Sequence, residues 1–349
     1  MLRSKWVLGL ISLICMTVLA PNVVAQDADV KFQAWLEDLR VEARGKGISE
    51  ETIVTALSNV TLRPKIIQRD RNQPEIKQIY ASYFKSRISE WRIKKGGEML
   101  REHADLFKEI GDTYGVAPRY VAAIWGMETN YGTFDLTINV FDALATLAYD
   151  PRRGKRFRGE LFSALEILEK GHASMDQMMG SWAGAMGQPQ FMPVNYLNHS
   201  VDHDGDGKRD IWTSKADVFA SIASYLKHYG WQEGRIWGRP VELPDGGEAS
   251  LPIIATNGEE PSRFCKKYKS MGKWRKLNDW NSLGVRRMNG GDLPEVDIAA
   301  ALVIGDPGDD RGYLVYNNFC SIMLYNPAFK YALGVGMLGD KIQAAAEQN

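Results

Sequence analysis

Apolar residues recur at helical spacing along most of the chain. Phe32, Trp35, Leu36 and Leu39 form one amphipathic stripe, and Ser49 ahead of Glu50 and Glu51 predicts a helix start. Arg63-Pro64 breaks the pattern. It resumes through Ile79, Tyr80, Tyr83, Phe84 and Ile88, and again from Met99 through Leu106, Phe107 and Ile110 to Gly115. Pro118 suits a first helical turn and Gly132 a C-terminal cap; between them Val121, Ile124, Trp125 and Glu128 share one face. Residues 141–149 predict a further helix stopped by Asp150-Pro151, and residues 161–168 another ending near Gly171. From Ser181 to Pro193 periodicity is lost. Ser214-x-x-Asp217 then opens a helix through Ile222 and Tyr225. From Gly234 to about Phe319 the texture turns to Pro, Gly and short β-prone runs. Ile253-Ile254, Val285 and Val303-Ile304 predict strand pieces, and Asp306-Pro-Gly-Asp309 a turn. The tail from Tyr325 to Ile342 returns to helix and is expected to pack on the N-terminal helices. The pattern is that of a mainly α (α+β) protein with a smaller mixed β-containing lobe.

The first residues differ from the rest. Arg3 and Lys5 precede an uncharged run from Trp6 to Ala20, and Val23-Val24-Ala25 fits a cleavage site before Gln26. Residues 1–25 thus read as a secretory signal peptide, too short for a membrane span. The expected mature chain carries 41 basic and 43 acidic residues, with no second long apolar run, so no transmembrane segment is expected after cleavage. Charge balance gives no basic surface and therefore no nucleic-acid partner. Cys265 and Cys320 would enter a compartment that permits a disulfide; pairing and separate packing both stay open.

Candidate chemistry concentrates in four places. Glu128 is the one polar member of an apolar helix face. Packing there and the negative helix end both predict a raised pKa, which suits a general acid; a solvated Glu at a fraying end is the alternative. Arg152, Arg153, Lys155, Arg156 and Arg158 form a basic cluster, either a solvated face or a carboxylate grip. The segment Ser181-Trp-Ala-Gly-Ala-Met-Gly-Gln-Pro-Gln-Phe-Met-Pro193 offers small residues, neutral amides and aromatic faces, which suit a sugar polymer or a tight packing loop. Asp202, Asp204, Asp206 and Asp210 take positions 1, 3, 5 and 9 of an EF-hand-like loop, with Gly207 at position 6 and Lys208 at position 7. Thr213 stands where a bidentate Glu belongs. Asp217 could close a longer loop spanning 202–217, or act as the capping partner of Ser214. Alternating aspartates that would otherwise repel each other predict a bound, structural Ca²⁺.

Together, Met-Glu128-Thr-Asn-Tyr-Gly, the 181–193 segment, the Asp-rich loop and Tyr325-Asn326 resemble the B-type lytic murein transglycosylases, over about residues 30–345 and in the right order. The resemblance implies a lysozyme-like catalytic core at 111–233, flanked by a helical region at 26–110, a small mixed lobe at 234–319 and a C-terminal return at 320–349. It implies a periplasmic enzyme that cleaves the β-1,4 bond between N-acetylmuramic acid and N-acetylglucosamine in peptidoglycan. No water is consumed: the muramic C6 hydroxyl attacks its own anomeric carbon and a 1,6-anhydro product forms. Glu128 would serve first as acid and then as base. Substrate contacts would fall on Tyr83, Ser181, Gln190, Tyr225, Tyr325, Asn326 and Tyr331, with Arg152 and Arg153 where peptide-stem carboxylates pass. No organic cofactor is implied. A lone carboxyl agrees with this, since retaining and inverting hydrolases ordinarily use two. The alternatives are an inactive murein-binding protein, a water-using muramidase, or a calcium-responsive interaction protein.

Overall fold

The computed structural model describes residues 21–72, 78–251, 261–266, 268, 271, 274–306 and 311–348 of the chain. Most of the expected signal segment, the Ile253-Ile254 strand piece and most of the Asp306–Asp309 turn lie outside these residues. Among the described residues no helix is long and apolar enough to cross a membrane.

Three hydrophobic cores organise the chain. One joins Phe32, Leu36, Ile53, Leu57 and Ile66 to Phe141, Leu144, Leu161 and Leu165, so the helices Pro21–Gly45, Glu50–Leu57 and Pro64–Asn72 pack on the helices Val140–Tyr149 and Gly154–Glu169. Ser49 caps the second of these, accepting the Thr52 N–H. Arg63-Pro64 interrupts the pattern only briefly, because Pro64 opens a helix whose first N–H would have no partner anyway.

The second core holds Phe107, Tyr120, Val121, Trp125, Phe219, Phe319 and Leu338. It joins the helices Glu90–Glu102, Ala104–Tyr114, Pro118–Thr129, Lys215–His228, Asn317–Tyr325 and Phe329–Glu347. The run expected from Met99 to Gly115 is split at His103, and Gly115 ends it with a left-handed φ of 68°. The C-terminal tail is also two helices, and Tyr325 ends the first. The long last helix lies against Glu90–Glu102 and Pro118–Thr129 at very close range. A Cβ on Gly96 would come within 2.5 Å of the Tyr131 hydroxyl and 2.6 Å of Ile342, and one on Gly336 within 2.3 Å of the Trp237 ring.

The small lobe is a five-stranded antiparallel sheet in the order Trp274–Lys276, Ala299–Ile304, Arg311–Val315, Gly238–Glu242, Arg286–Arg287. Its own core gathers Val241, Leu277, Trp280, Val285 and Leu314. Val303 and Ile304 lie in a strand as expected, while Val285 immediately precedes one. The lobe is stapled to the second core by a Cys265–Cys320 disulfide, with Cα atoms 5.3 Å apart. It also reaches the helix Tyr80–Arg87, whose first amides from Tyr80 and Ala81 donate to the Asp306 carboxylate at 2.8 and 3.0 Å.

Candidate active site

The helix Pro118–Thr129 is buried all round from Tyr120 to Met127, more than the one apolar face that the sequence shows, and Glu128 is partly open near its end. The helix stops two residues later. Asn130 is its cap, with φ 50°, followed by Tyr131 at φ 63° and Gly132 at φ 76°. Gly132 is therefore the third left-handed residue of a turn rather than the cap. Two non-glycine residues in this region are costly, and their neighbours hold them there. Buried Arg92 donates to the Asn130 Oδ1 and, through Nε, to the Gly126 carbonyl at 2.9 Å. The Tyr131 hydroxyl donates to the Arg92 carbonyl at 2.6 Å, and Thr129 Oγ1 accepts from Gly132 N–H at 3.2 Å.

The Tyr331 hydroxyl donates to Glu128 Oε1 at 2.5 Å. Burial pushes the Glu128 carboxyl up to about 7, with the Tyr331 hydrogen bond and the Arg87 charge pulling the other way. No second carboxylate acts on it among the described residues. Burial and the Glu128 charge hold the Tyr331 and Tyr325 phenols well above their ordinary range, so both stay protonated donors. Tyr325 donates to the Pro189 carbonyl at 2.5 Å, and Tyr225 donates to the Leu324 carbonyl at 2.6 Å. Their rings meet edge-on at 4.8 Å, and Phe191 lies 5.6 and 5.8 Å from them. Tyr83 is buried close by, with an electrostatic effect on Tyr331. The structure thus gathers Glu128, Tyr83, Tyr225, Tyr325 and Tyr331, with Asn326 adjoining as the cap that ends the helix Asn317–Tyr325.

The 181–193 segment is built on its own hydrogen bonds. Ser181 Oγ accepts the Ala185 N–H at 3.3 Å, and the Ser181 amide donates to the Ala185 carbonyl at 2.9 Å. Gln190 takes a left-handed φ of 53°, and its Nε2 donates back to the Gly187 carbonyl at 3.0 Å. Its amide hydrogens therefore serve the loop, and Oε1 is the atom left for a ligand. Arg152 and Arg153 are different. Both pair with buried Asp70 on the helix Pro64–Asn72, with Arg152 Nε at 3.0 Å from Asp70 Oδ2. That shared ion pair anchors both arginines to the helix Pro64–Asn72, while their side chains stay partly exposed.

Asp202, Asp204 and Asp217 each bring an oxygen within 4.8 Å of the others. Asp206 stands outside that trio; its Oδ1 accepts the Lys208 N–H at 2.8 Å in a local turn. Asp217 follows the Ser214 cap and also stands in the acidic trio. Its amide caps onto Ser214 Oγ, while its fully buried carboxylate accepts the His203 and Asp210 amides, each at 2.7 Å. Desolvation raises its pKa, and the nearby Asp204 charge adds to that. Three carboxylates drawn together in this way fit a divalent cation.

Sequence reasoning missed Gln188, Arg92 and Arg87. Buried Gln188 Oε1 accepts from Trp125 Nε1 at 2.8 Å and Lys215 Nζ at 3.1 Å, and its Nε2 donates to the Trp212 carbonyl at 2.6 Å. In the sequence it looked like one more amide of a polar loop. Arg92 sits in a charged run, with no sign that it faces inward. Only spatial neighbours mark Arg87.

Two outcomes follow. Gln188→Leu strands the Trp125 indole N–H and the Trp212 carbonyl, and should cost about 2–4 kcal/mol in a denaturant titration, given about 1–3 kcal/mol per buried group left unpaired. For Glu128, the folded pKa of about 7 lies above the ordinary 4.5, so its stabilising protonation is complete below pH 4.5 and is lost as pH rises through 7. The gap amounts to about 3 kcal/mol at most. Glu128→Gln should match the wild type near pH 4.5 and gain relative stability up to about pH 8, read from melting temperatures. Parallel pH dependence in the two proteins would place the raised carboxyl elsewhere.

Comparison with known proteins agrees with this geometry. The family model described as Transglycosylase SLT domain matches residues 31–340. The Escherichia coli (strain K12) membrane-bound lytic murein transglycosylase B is 30% identical over 268 residues, which is 76% of this chain and 68% of that protein. The structure of SltB3 from Pseudomonas aeruginosa in complex with NAG-anhNAM-pentapeptide superposes with a TM-score of 0.79 at 38% identity, covering 89% of this chain and 79% of that one. The Escherichia coli lytic transglycosylase Slt35 in complex with calcium gives a TM-score of 0.72 at 26% identity, covering 92% and 95%. With a carboxyl raised to about 7 at the end of a buried helix and a family match over nearly its whole length, this chain belongs to the transglycosylase SLT domain family, as a lytic murein transglycosylase.

Proposed function

We propose that the chain cleaves the N-acetylmuramic acid–N-acetylglucosamine β-1,4 bond without water, with Glu128 acting twice. The single observation that carries this reading is one carboxyl near neutrality, held by Tyr331, with no second carboxylate acting on it. Protonated Glu128 gives its proton to the glycosidic oxygen as the C1–O bond breaks. The resulting carboxylate accepts the C6 hydroxyl proton as O6 bonds to C1, which closes the 1,6-anhydro ring and restores the acid. A pKa of about 7 lets one group do both at neutral pH. Tyr331 donates to the carboxylate in the interval between the two transfers. Ring closure beats solvent because a held C6 hydroxyl has an effective molarity of roughly 10⁵–10⁸ M. Tyr83, Tyr225 and Tyr325 supply aromatic walls that hold the sugar, and Ser181, Asn326 and the free Oε1 of Gln190 supply polar contacts.

Asp202, Asp204 and Asp217 hold Ca²⁺, which keeps the loop closed and takes no part in the chemistry; the likeness to the calcium complex of Slt35 supports this. The uncharged run after Arg3 and Lys5 directs the chain to the periplasm, where its substrate lies.

Glu128→Gln should lower cleavage of purified sacculi by about 10²–10⁴-fold, the scale of a general acid, while murein pull-down is kept. Mass spectrometry of wild-type digests should show anhydro-muropeptides. Reducing ends instead would mean that water is the nucleophile. Chelation should lower the melting temperature of the wild type, because a ligand bound only by the native state stabilises it by mass action, and Asp204→Ala should do the same. An unchanged melting curve after complete metal removal would refute the calcium assignment.

A further inference from the structure

Among the arginines that the sequence brings to notice, Arg152 and Arg153 pair with Asp70, Arg158 with Glu42 and Arg63 with Asp142, while Arg156 lies over the Phe157 ring. Arg87 is the arginine whose charge acts on Glu128. Among the described residues its guanidinium makes no hydrogen bond or ion pair; it lies over the Tyr83 ring, 5.8 Å from the centroid. It is partly exposed, and its charge reaches Glu128, so it faces the same groove.

Its base is fixed. Arg87 is the last residue of the helix Tyr80–Arg87, and its carbonyl accepts from buried Arg92, whose other donors hold the turn after Glu128. The helix is anchored at its other end by Asp306. An arginine resting on an aromatic face is common at surfaces. This one lies beside the acid: its charge acts on Glu128, and the Tyr83 ring beneath it acts on Tyr331. Lys330, which donates to the Gln78 carbonyl, lies 5.9 Å from the same ring. A planar fork with its donors unspent at such a place is the arrangement that recognises a carboxylate through two parallel hydrogen bonds.

We infer that Arg87 recognises a carboxylate carried by the muramic residue bound at Glu128, either the lactyl acid of a peptide-free sugar or an acid of the peptide stem. This rests on the functional reading above.

The test compares kcat/KM on three synthetic tetrasaccharides: one with free-acid peptide stems, one with every stem acid amidated, and one without peptide whose lactyl acids are free. Arg87→Gln keeps a polar side chain and removes the charge. Its effect on Glu128 is common to all three substrates at a given pH, so it cancels in the ratios. If Arg87 reads the stem, the wild type prefers free-acid over amidated stems by about tenfold, a typical worth for one charge-assisted pair, and Arg87→Gln erases the preference. If Arg87 reads the lactyl acid, Arg87→Gln penalises the peptide-free substrate selectively, by a similar factor. Arg87→Lys, which keeps the charge and loses the fork, should fall between. Equal losses on all three substrates, or wild-type ratios retained in Arg87→Gln, overturn the inference while leaving the transglycosylase reading intact. A wild type that cleaves none of the three defeats that reading instead.

Discussion

The Trp125 indole N–H and the Lys215 ammonium both point at one oxygen, Oε1 of Gln188, while the amide nitrogen of the same side chain reaches the Trp212 carbonyl. Its main chain is equally occupied: the N–H donates to the Ile211 carbonyl at 2.9 Å and the carbonyl accepts from Thr129 Oγ1 at 3.0 Å. Five bonds thus join the acid-bearing helix, the 181–193 segment and the Asp-rich loop at one buried residue. A buried polar network rewards completeness and punishes any gap. With every atom paired, it fixes the distance between Glu128 and the loop that would hold the sugar. Gly132 makes room for it, since a Cβ there would lie 2.4 Å from the Gln188 oxygen. The Asp-rich loop accordingly bears on the site without touching it: Ile211 and Trp212, which bond to Gln188, belong to the same loop as Asp202 and Asp204.

Arg92 performs a second joining from the other side. A buried guanidinium without an acid is expensive, and burial does lower its pKa. The fold meets that cost with carbonyl oxygens at the ends of two helices: Ser86 and Arg87 of one, Gly126 of the other, with Asn130 Oδ1 completing the set. Helix C-termini carry partial negative charge, so a cation placed between two of them is stabilised without a carboxylate. That choice matters for catalysis. An acid so close to Glu128 would repel its ionised form and supply the second carboxylate that the proposed reaction does without.

Much of this was legible in the sequence because it is periodic or punctuated. The apolar stripes gave the helices, Ser49 and Ser214 their starts, and Gly115 one stop. Glu128 was legible because a carboxyl on an apolar face is a local contradiction. What stayed hidden depends on which distant backbone atoms a polar side chain meets. The pairing of Arg152 and Arg153 with Asp70 was hidden because that acid, about eighty positions away, carries no mark of being their partner. Gln188 and Gln190 looked alike, yet one is a buried hub and the other braces its own turn. The cysteine pair could not be decided from spacing, since 55 residues separate positions that the lobe's fold brings together. For Asp217 the sequence offered two rival roles but did not show that its carboxylate accepts the His203 and Asp210 amides while its own amide donates to Ser214.

The site lies where the two helical cores meet. Tyr225 packs with the first core although its helix mostly serves the second, and Tyr325 touches both. Their hydroxyls are spent on the carbonyls of Leu324 and Pro189, so their positions are set by both cores and by the loop between them. A groove at such a seam has rigid walls and yet remains open along its length, as a polymer substrate requires. The seam also explains how Glu128 is partly open and still strongly desolvated. The carboxyl is partly exposed, yet Tyr331 bonds to it and Tyr325 and Arg87 lie near enough to interact with it. Filling the groove with a sugar strand removes the remaining water and strengthens the influence of Tyr331 and Arg87, since each acts through a medium of lower dielectric. The substrate is thus the last wall of the site that acts on it.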